Sequence, residues 1–136
     1  MALNANPTSF TATRNGRGFY AYSAGQTGGA GDITLIDIAN VGLDDLLATV
    51  TCSADWSQVA ASLGFSINID GVAVAYNVAE PDAGGPGHNG VVAPMVFKII
   101  IPGQAAFAVV SSHDGSSGGA LRSAAVVAFP LLVPGG

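Results

Sequence analysis

The stretch Phe65-Ser-Ile-Asn-Ile-Asp-Gly-Val-Ala-Val-Ala-Tyr76 decides the fold class of this chain. Apolar residues alternate with small or polar ones on both sides of Asp70-Gly71, and this is the period of a half-buried β-strand. Asp-Gly provides the two positive-φ residues of a type I′ turn, so the stretch predicts a two-residue β-hairpin with its larger residues on one face. The pairs predicted outward from the turn are Ile69 with Val72, Ile67 with Val74 and Phe65 with Tyr76.

Short apolar runs separated by turn residues follow one another from residue 19 onward. This spacing is typical of an antiparallel β-sandwich or jelly roll, so we expect an all-β fold. Helical content is expected to be minimal, with room for a turn or two at residues 43–47 or 55–62. Pro102-Gly103 predicts a chain reversal, but the register across it stays open. The predicted strands lie near residues 19–23, 32–38, 46–52, 64–70, 72–78, 92–101, 105–111 and 122–129.

The 136 residues of the chain are the length of one ordinary domain. Residues 1–18 have no apolar periodicity and contain several asparagines and glycines, so we expect them to form an extended N-terminal arm. The β-sandwich domain is then expected over residues 19–131, with a C-terminal tail over residues 132–136. Two glycine-rich connections, residues 25–31 and 80–90, are long enough to bind a ligand or another subunit.

Charged residues make up only 10% of the chain, whereas its apolar fraction of 49% is ordinary. An average soluble domain is about 25% charged. So few charges indicate either a membrane segment or a surface covered by other protein; long glycine- and serine-rich loops are the alternative that needs no partner. No apolar run approaches the roughly 20 residues of a spanning helix, and the first residues lack a secretory-signal pattern. We therefore expect burial in contacts between subunits.

The formal net charge of −5 argues against a nucleic-acid partner, because phosphate binding depends on lysine and arginine. A single cysteine, Cys52, excludes an intramolecular disulfide and is expected to be a small buried apolar residue. Trp56 is expected to cover the core, with a sugar-stacking platform as the alternative.

Catalysis is not expected. Ser112-His113-Asp114 contains the residue types of a catalytic triad, but consecutive residues of an extended strand point to opposite faces. Gly28-Gly-Ala-Gly31 lacks the following helix and the lysine of a phosphate-binding loop. We therefore expect no enzymatic activity and no cofactor.

Metal binding is not expected either, because no donor residues have metal-ligand spacing. Carboxylates beside turn glycines are more typical of local backbone acceptors. The candidates considered are His88 and His113 with Asp82 or Asp114 for a zinc-like ion, and Asp32 with Asp44-Asp45 for calcium.

Three segments resemble the second half of β-sandwich virion proteins from tailed bacteriophages. They are Phe97-Lys-Ile-Ile-Ile-Pro-Gly-Gln104, the glycine- and serine-rich turn at residues 115–119, and the closing strand Ala124-Ala-Val-Val-Ala-Phe-Pro130. The resemblance covers about residues 60–131 and is closest to capsid decoration, or cement, proteins. It implies a homotrimer at the capsid surface of the virion that stabilises the head by binding the major capsid protein. The alternatives are a tail-fibre or receptor-binding domain and a carbohydrate-binding module, the latter through Trp56.

Under this resemblance the arm is the segment that docks on the capsid lattice. Arg14 and Arg17, with the neighbouring Phe10 and Phe19, are the residues expected to bind the partner. Apolar sheet edges and faces of small residues are expected to close the trimer. Deletion of residues 1–17 is expected to abolish capsid binding and to leave the domain folded.

Overall fold

Ten β-strands make up the regular structure of the described residues, none of which is helical. The computed structural model describes residues 10–28, 31–56, 63–79, 91–92, 94–113 and 120–131. The strands are β1 (Thr11–Asn15), β2 (Gly18–Gly28), β3 (Gly31–Ile38), β4 (Leu46–Trp56), β5 (Leu63–Ile69), β6 (Val72–Ala79), β7 (Val91–Val92), β8 (Met95–Ile101), β9 (Phe107–His113) and β10 (Ala120–Pro130).

The strands form two antiparallel sheets. The six-stranded sheet runs β1-β2-β10-β4, and both β7 and β8 pair with the remaining edge of β4. The four-stranded sheet runs β3-β9-β5-β6. The predicted all-β, jelly-roll-like sandwich is confirmed, and each of the eight predicted strands has a counterpart. Pro94 separates β7 from β8, which were predicted as one strand.

Strand alternation builds the core between the two sheets, because every second side chain points inward. Phe19 of the six-stranded sheet and Phe107 of the four-stranded sheet meet there edge to face, with their ring centroids 6.2 Å apart. Both rings are about 1% exposed. Burial of each contributes about 1.5–3 kcal/mol relative to an exposed ring, so this pair helps to hold the two layers together.

The Asp70-Gly71 hairpin has the predicted turn and only part of the predicted register. Asp70 and Gly71 have φ angles of 49° and 80°, as a type I′ turn requires. Ile69 pairs with Val72 as predicted. A β-bulge then inserts one extra residue in β6, so the predicted partners of Ile67 and Phe65 are wrong. The observed pairs are Ile67 with Ala75 and Phe65 with Asn77.

The turn of this hairpin is also anchored to the segment before β9. The Asp70 amide donates to the carbonyl oxygen of Ala106 at 3.0 Å, and the Ala106 amide donates to Asp70 Oδ1 at 2.9 Å. The bulge keeps Phe65 and Ile67 buried while Tyr76 of β6 remains 59% exposed. A bulge is decided by such packing between strands, which the alternation within one hairpin does not encode.

The expectation that all of residues 1–18 form an extended arm is wrong for its second half. Residues 11–15 form β1, which pairs with β2 across a turn at Gly16-Arg17. The alternating pattern is weak because β1 is an edge strand of small and polar residues, although Ala12 packs against the core. Residues 1–9 and the predicted tail, residues 132–136, lie outside the described residues.

The segment around Pro102-Gly103 connects the two sheets. β8 pairs with β4, whereas β9 lies between β3 and β5. The two strands flanking this reversal are therefore not partners, and no hairpin forms between them. The two segments with room for a helical turn are not helical where they are described. Residues 43–47 lead into β4 and residues 55–56 end it, whereas residues 57–62 lie outside the described part of the chain.

Candidate protein interface

The outer surface of the six-stranded sheet is covered with large apolar side chains. Alternation sends one set of side chains into the core and the other to this surface. The exposed fractions of the outward set range from 42% at Tyr20 to 62% at Val96. We call this surface the apolar face; its members are Tyr20, Tyr22, Leu47, Val96, Ile100, Val127 and Phe129.

Strand register arranges the apolar face in rows that cross the strands. One row joins Phe129 of β10, Leu47 of β4 and Ile100 of β8. A neighbouring row joins Tyr20 of β2 to Val127 of β10. Directly paired residues of antiparallel strands have Cβ atoms about 4.5–5.5 Å apart. The side chains of each row are therefore neighbours, and the face is continuous across four strands.

The polar residues on the apolar face are mostly threonines. Thr49 lies between Val127 and Lys98, and Thr51 lies between Ala125 and Val96. Among the side chains that the structure describes, Lys98 is the only charged one on this face. Covering the face with another protein therefore removes few ionised groups from water, which keeps the cost of desolvation low.

The exposed apolar area is large for a domain of this size. Aromatic side chains present about 150–250 Å² each, so the half-exposed rings of Tyr20, Tyr22 and Phe129 together leave on the order of 300 Å² in water. The four aliphatic members extend the patch further. Contiguous apolar patches of more than a few hundred Å² are unusual on monomeric proteins and mark interaction surfaces.

A shallow depression of about 360 Å³ adjoins the apolar face near Tyr22 and Thr51. The hydroxyls of Ser53 and Ser123 hydrogen-bond to each other there at 2.8 Å. Its described lining holds no carboxylate, imidazole or cation. Within this lining the titratable side chains are those of Tyr22 and the buried Cys52.

Two of the residues predicted to bind a partner, Phe10 and Phe19, lie against the core instead. Phe19 is 1% exposed and packs on Phe107, so the prediction that it binds a partner is wrong. Phe19 is the first residue after the predicted arm, and the sequence alone did not show that its side chain points inward from β2. Phe10 is partly buried and also packs against the core.

The other two, Arg14 and Arg17, lie together at one end of the sandwich and contact the connection between β3 and β4. Arg14 Nη1 donates to the carbonyl oxygen of Val41 at 2.9 Å. Arg17 forms an ion pair with Asp44, and its Nε donates to Asp44 Oδ2 at 2.7 Å. The hydrogen bond to Asp44, and then the charge of that carboxylate, raise the pKa of Arg17. Both cations thus attach the β1–β2 turn to its own domain.

Two of the three aspartates considered as calcium ligands, Asp44 and Asp45, accept hydrogen bonds from distant parts of the chain. Asp44 binds Arg17, and Asp45 Oδ1 accepts a hydrogen bond from the Gly103 amide at 2.8 Å. No group of three or more His, Cys, Asp or Glu residues is close enough to hold a metal ion within the described part of the chain. His88, Asp82 and Asp114 lie outside it, as do the side chains of Trp56 and His113.

Cys52 is a buried free thiol on the inward side of β4. It is 2% exposed. Burial raises the pKa of Cys52 to about 12. A thiol that stays protonated at neutral pH is a poor nucleophile and a poor metal ligand, so Cys52 has the expected role of a small apolar core residue.

None of the described elements is a helix of the length and hydropathy that crossing a bilayer requires.

Comparison by sequence gives no relative. No family model matches the chain. No curated protein matches it either.

Comparison by structure gives similar folds in larger proteins. A chain of the T13 viral particle of infectious bursal disease virus is similar with a TM-score of 0.54 and 15% identity, over 96% of this chain and 35% of that one. A chain of the virus's Gx strain gives a TM-score of 0.49 at 17% identity, over 96% of this chain and 39% of that one. Dimeric latent PorU from Porphyromonas gingivalis gives 0.51 at 10% identity, over 93% of this chain and 13% of that one. This chain therefore spans between 13% and 39% of these larger chains, and what it shares with the two whose TM-score exceeds 0.5 is the β-sandwich fold.

Proposed function

We propose that this chain is a structural protein of a virion, and that it acts as a decoration, or cement, protein on the capsid surface. In this role it binds the lattice of the major capsid protein and stabilises the head of a tailed bacteriophage. The apolar face of the six-stranded sheet is the observation that carries the proposal. It seats the domain on the lattice, and it explains the low charge of the chain.

The composition of the apolar face fits a protein partner better than a small ligand. Interfaces between proteins are enriched in aromatic side chains and depleted of charge at their centre. Tyr20, Tyr22 and Phe129 supply the aromatic rings of this face, and Lys98 is the single charged residue on it among the described side chains. A flat sheet surface of this kind binds by complementarity over area, not by enclosing a ligand.

The fold supports the same proposal at the level of architecture. A chain of the infectious bursal disease viral particle contains a similar sandwich over 96% of the present chain. A β-sandwich with an apolar outer surface suits shell construction, because rigid sheets place contact residues at fixed positions. The contact surface proposed here differs from the arm residues first expected, since Phe19 is buried and Arg14 and Arg17 contact the domain itself.

Binding to stripped shells tests this proposal. Particles of the encoding virus are first analysed for peptides of this chain, and heads freed of it are then mixed with purified wild type or with Phe129→Asp. Phe129 is 59% exposed, so the variant should fold, as circular dichroism will verify. An unpaired charge buried in an apolar interface typically costs tenfold or more in affinity, and we expect at least that loss in co-sedimentation.

The matched control is Thr34→Asp, which places the same charge at an exposed position of the four-stranded sheet. It should bind shells as wild type does. Absence of the chain from particles, its location on tails instead of heads, or equal binding by both variants would each reject the decoration proposal.

A further inference from the structure

A second depression, of about 260 Å³, lies between the β1–β2 turn and the connection from β3 to β4. We call it the end pocket; its lining residues are Arg14, Gly16, Arg17, Gly42, Leu43 and Asp44. None of these residues belongs to the apolar face. Arg14 lies on the inward side of β1, because it pairs with Phe19, whose ring is in the core. The end pocket therefore closes one end of the sandwich and is separate from the apolar face.

Positive charge is concentrated in the end pocket. Two of the four lysine and arginine residues of the chain line it. Asp44 is the one acidic residue in its described lining, so two positive charges and one negative leave a net charge of +1, whereas the whole chain carries −5. The other two cations, Lys98 and Arg122, lie on the apolar face and in the core. An anion is therefore attracted to this pocket and repelled by the net charge of the rest of the chain.

Asp44 balances the charge of Arg17 and leaves that of Arg14 unbalanced. Both carboxylate oxygens of Asp44 accept hydrogen bonds from Arg17, one from Nε and the other from Nη2. No carboxylate of the described residues lies within ion-pair distance of Arg14. Asp45 is engaged elsewhere, because its Oδ1 accepts a hydrogen bond from the Gly103 amide. A partly buried cation without a counter-ion is unfavourable, so an anion bound beside Arg14 would stabilise it.

One nitrogen of Arg14 also lacks a hydrogen-bond acceptor. Nη1 donates to the carbonyl oxygen of Val41 at 2.9 Å, whereas Nη2 is buried and has no acceptor among the described residues. Both nitrogens lie beside Gly42 of the lining, where an added Cβ would be 3.0 Å from Nη1 and 3.4 Å from Nη2. A buried charged donor without an acceptor is rare in folded proteins and calls for a bound ion or water. An acceptor reaches Nη2 when a neighbouring side chain moves, and Leu43 of the lining is 77% exposed and free to do so.

The wall of the end pocket is held in place by hydrogen bonds. The Gly42 amide donates to Asn40 Oδ1 at 2.9 Å. The Val41 amide donates to the carbonyl oxygen of Ala105, also at 2.9 Å. A site that is already ordered loses little conformational freedom when a ligand binds.

We propose that the end pocket binds a carboxylate. The charge of the ligand balances Arg14, and its oxygens accept hydrogen bonds from Arg14 Nη2 and from Arg17 Nη1, the nitrogen that the pair with Asp44 leaves unused. Guanidinium groups suit planar carboxylates because their donors form a rigid fork. The net charge of +1 matches a monoanion, and Asp44 opposes a dianion such as phosphate. Leu43 adds an apolar contact, so the ligand class is a monocarboxylate with an apolar portion.

This inference goes beyond the decoration proposal and does not depend on it, because the site is complete in one chain. Titration of the full chain with propionate, followed by NMR at pH 7 and constant ionic strength, tests it. The backbone amide of Gly42 and the Nε–H of Arg17 should shift and saturate. Arg14→Gln removes the unbalanced charge, and we expect it to weaken binding roughly tenfold or more. Circular dichroism will verify that the variant folds.

The matched control is Thr34→Asp. It makes the same change of −1 in net charge, at an exposed position of the four-stranded sheet that does not line the end pocket. It should bind propionate as wild type does.

Asp44→Asn provides a test by gain of affinity. It raises the net charge of the end pocket from +1 to +2, so propionate should bind roughly threefold tighter or more. Inorganic phosphate should gain more than propionate, because a dianion feels the removed charge twice. A gain in affinity cannot come from misfolding, so this variant decides the question even if Arg14→Gln does not fold.

A blocked leucyl-glutamate peptide and its glutamine counterpart separate the two sources of a carboxylate. Tighter binding of the glutamate peptide than of propionate would support an acidic side chain of a protein, and weaker or equal binding would support a small carboxylate. The inference would be overturned by any of four results: no saturable shift with either carboxylate, equal binding by wild type and Arg14→Gln, tighter binding of phosphate than of propionate by wild type, or no gain in Asp44→Asn. None of these results bears on lattice binding through the apolar face, because no shells are present.

Discussion

Arg122 Nη1 donates a hydrogen bond to the backbone carbonyl of Ser111 at 3.2 Å, across the interior of the sandwich. Arg122 belongs to β10 of the six-stranded sheet and Ser111 to β9 of the four-stranded sheet, and both are fully buried. The same nitrogen lies 3.3 Å from the carbonyl oxygen of Gly31 at the start of β3. Burial lowers the pKa of Arg122, and the charge of Asp32 partly opposes this change. A buried cation thus joins the two layers.

Replacement of this cation should weaken the sandwich. Arg122→Ala removes the donor from the carbonyl oxygens of Gly31 and Ser111 and leaves a cavity. We expect the free energy of unfolding to fall by about 3 kcal/mol. Arg122→Lys should recover part of this loss, because lysine keeps a positively charged donor. The recovery should be incomplete, because a single ammonium replaces the planar guanidinium. Urea denaturation followed by circular dichroism measures both changes.

The control for this prediction is Arg17→Ala. Arg17 is also paired, but its side chain is 71% exposed, so its loss should leave the urea midpoint unchanged. If Arg122→Ala unfolds at the same midpoint as this control, the buried guanidinium contributes nothing to joining the sheets.

Cys52 should make stability fall at alkaline pH. Its pKa rises from the ordinary value of 9.0 to about 12 in the folded chain, because burial disfavours the thiolate. Because folding raises the pKa of this thiol, its contribution to the free energy of unfolding is fully present below pH 9. That contribution is lost as the pH rises from 9 towards 12. The expected slope is about −1.4 kcal/mol per pH unit in that range. The difference in unfolding free energy between wild type and Cys52→Ala, measured at several pH values, isolates this effect.

A thiol reagent provides the control for Cys52. At pH 8 the native chain should not react, whereas the urea-unfolded chain should titrate as one thiol, its single cysteine. Rapid reaction of the native chain would show that Cys52 is accessible, and the expected alkaline slope would then be absent.

Gly18 should tolerate no side chain. A Cβ at this position would lie 2.2 Å from the carbonyl oxygen of Ala128, a backbone atom of β10. Gly18→Ala must therefore displace β2 from β10, and we expect a loss of about 1–3 kcal/mol in thermal or urea unfolding.

Gly16 is the matched control in the same turn. Its φ is +60°, and nothing lies within 4 Å of an added Cβ. Asparagine adopts this conformation more readily than other side chains, so Gly16→Asn should change stability much less than Gly18→Ala. Similar losses for the two variants would mean that the close approach to Ala128 does not decide the effect.

The stability of the turn at Asp70-Gly71 should depend on the side-chain oxygen of Asp70 and on the tolerance of this residue for a positive φ. Asp70→Ala removes the acceptor for the Ala106 amide and strains the turn at φ 49°. We expect a cost of about 1–2 kcal/mol. Asp70→Asn keeps both properties and should stay within about 0.5 kcal/mol of wild type in urea denaturation. A loss in Asp70→Asn as large as that in Asp70→Ala would show that the negative charge matters instead.

Much of the fold follows from local sequence pattern. Asp70-Gly71 specifies its turn because few residues accept positive φ, and short alternating apolar runs specify strands because side chains alternate in and out. Cys52 was likewise predictable, since a lone cysteine in an alternating strand is an apolar core residue. The sequence pattern did not predict β1, because its residues are small or polar and show no apolar alternation.

The tertiary structure alone decided which strands meet and which side chains become available. The bulge opposite Ile67, the separation of β8 and β9 into different sheets, and the burial of Phe19 depend on packing between distant segments. The burial of Arg122 could not be predicted from the sequence. A cation is stable in a core only where carbonyl oxygens of another strand accept its hydrogen bonds, and strand packing decides their position. The apolar face arose in the same way: the sequence determined the exposed apolar residues one strand at a time, and strand order assembled them into one surface.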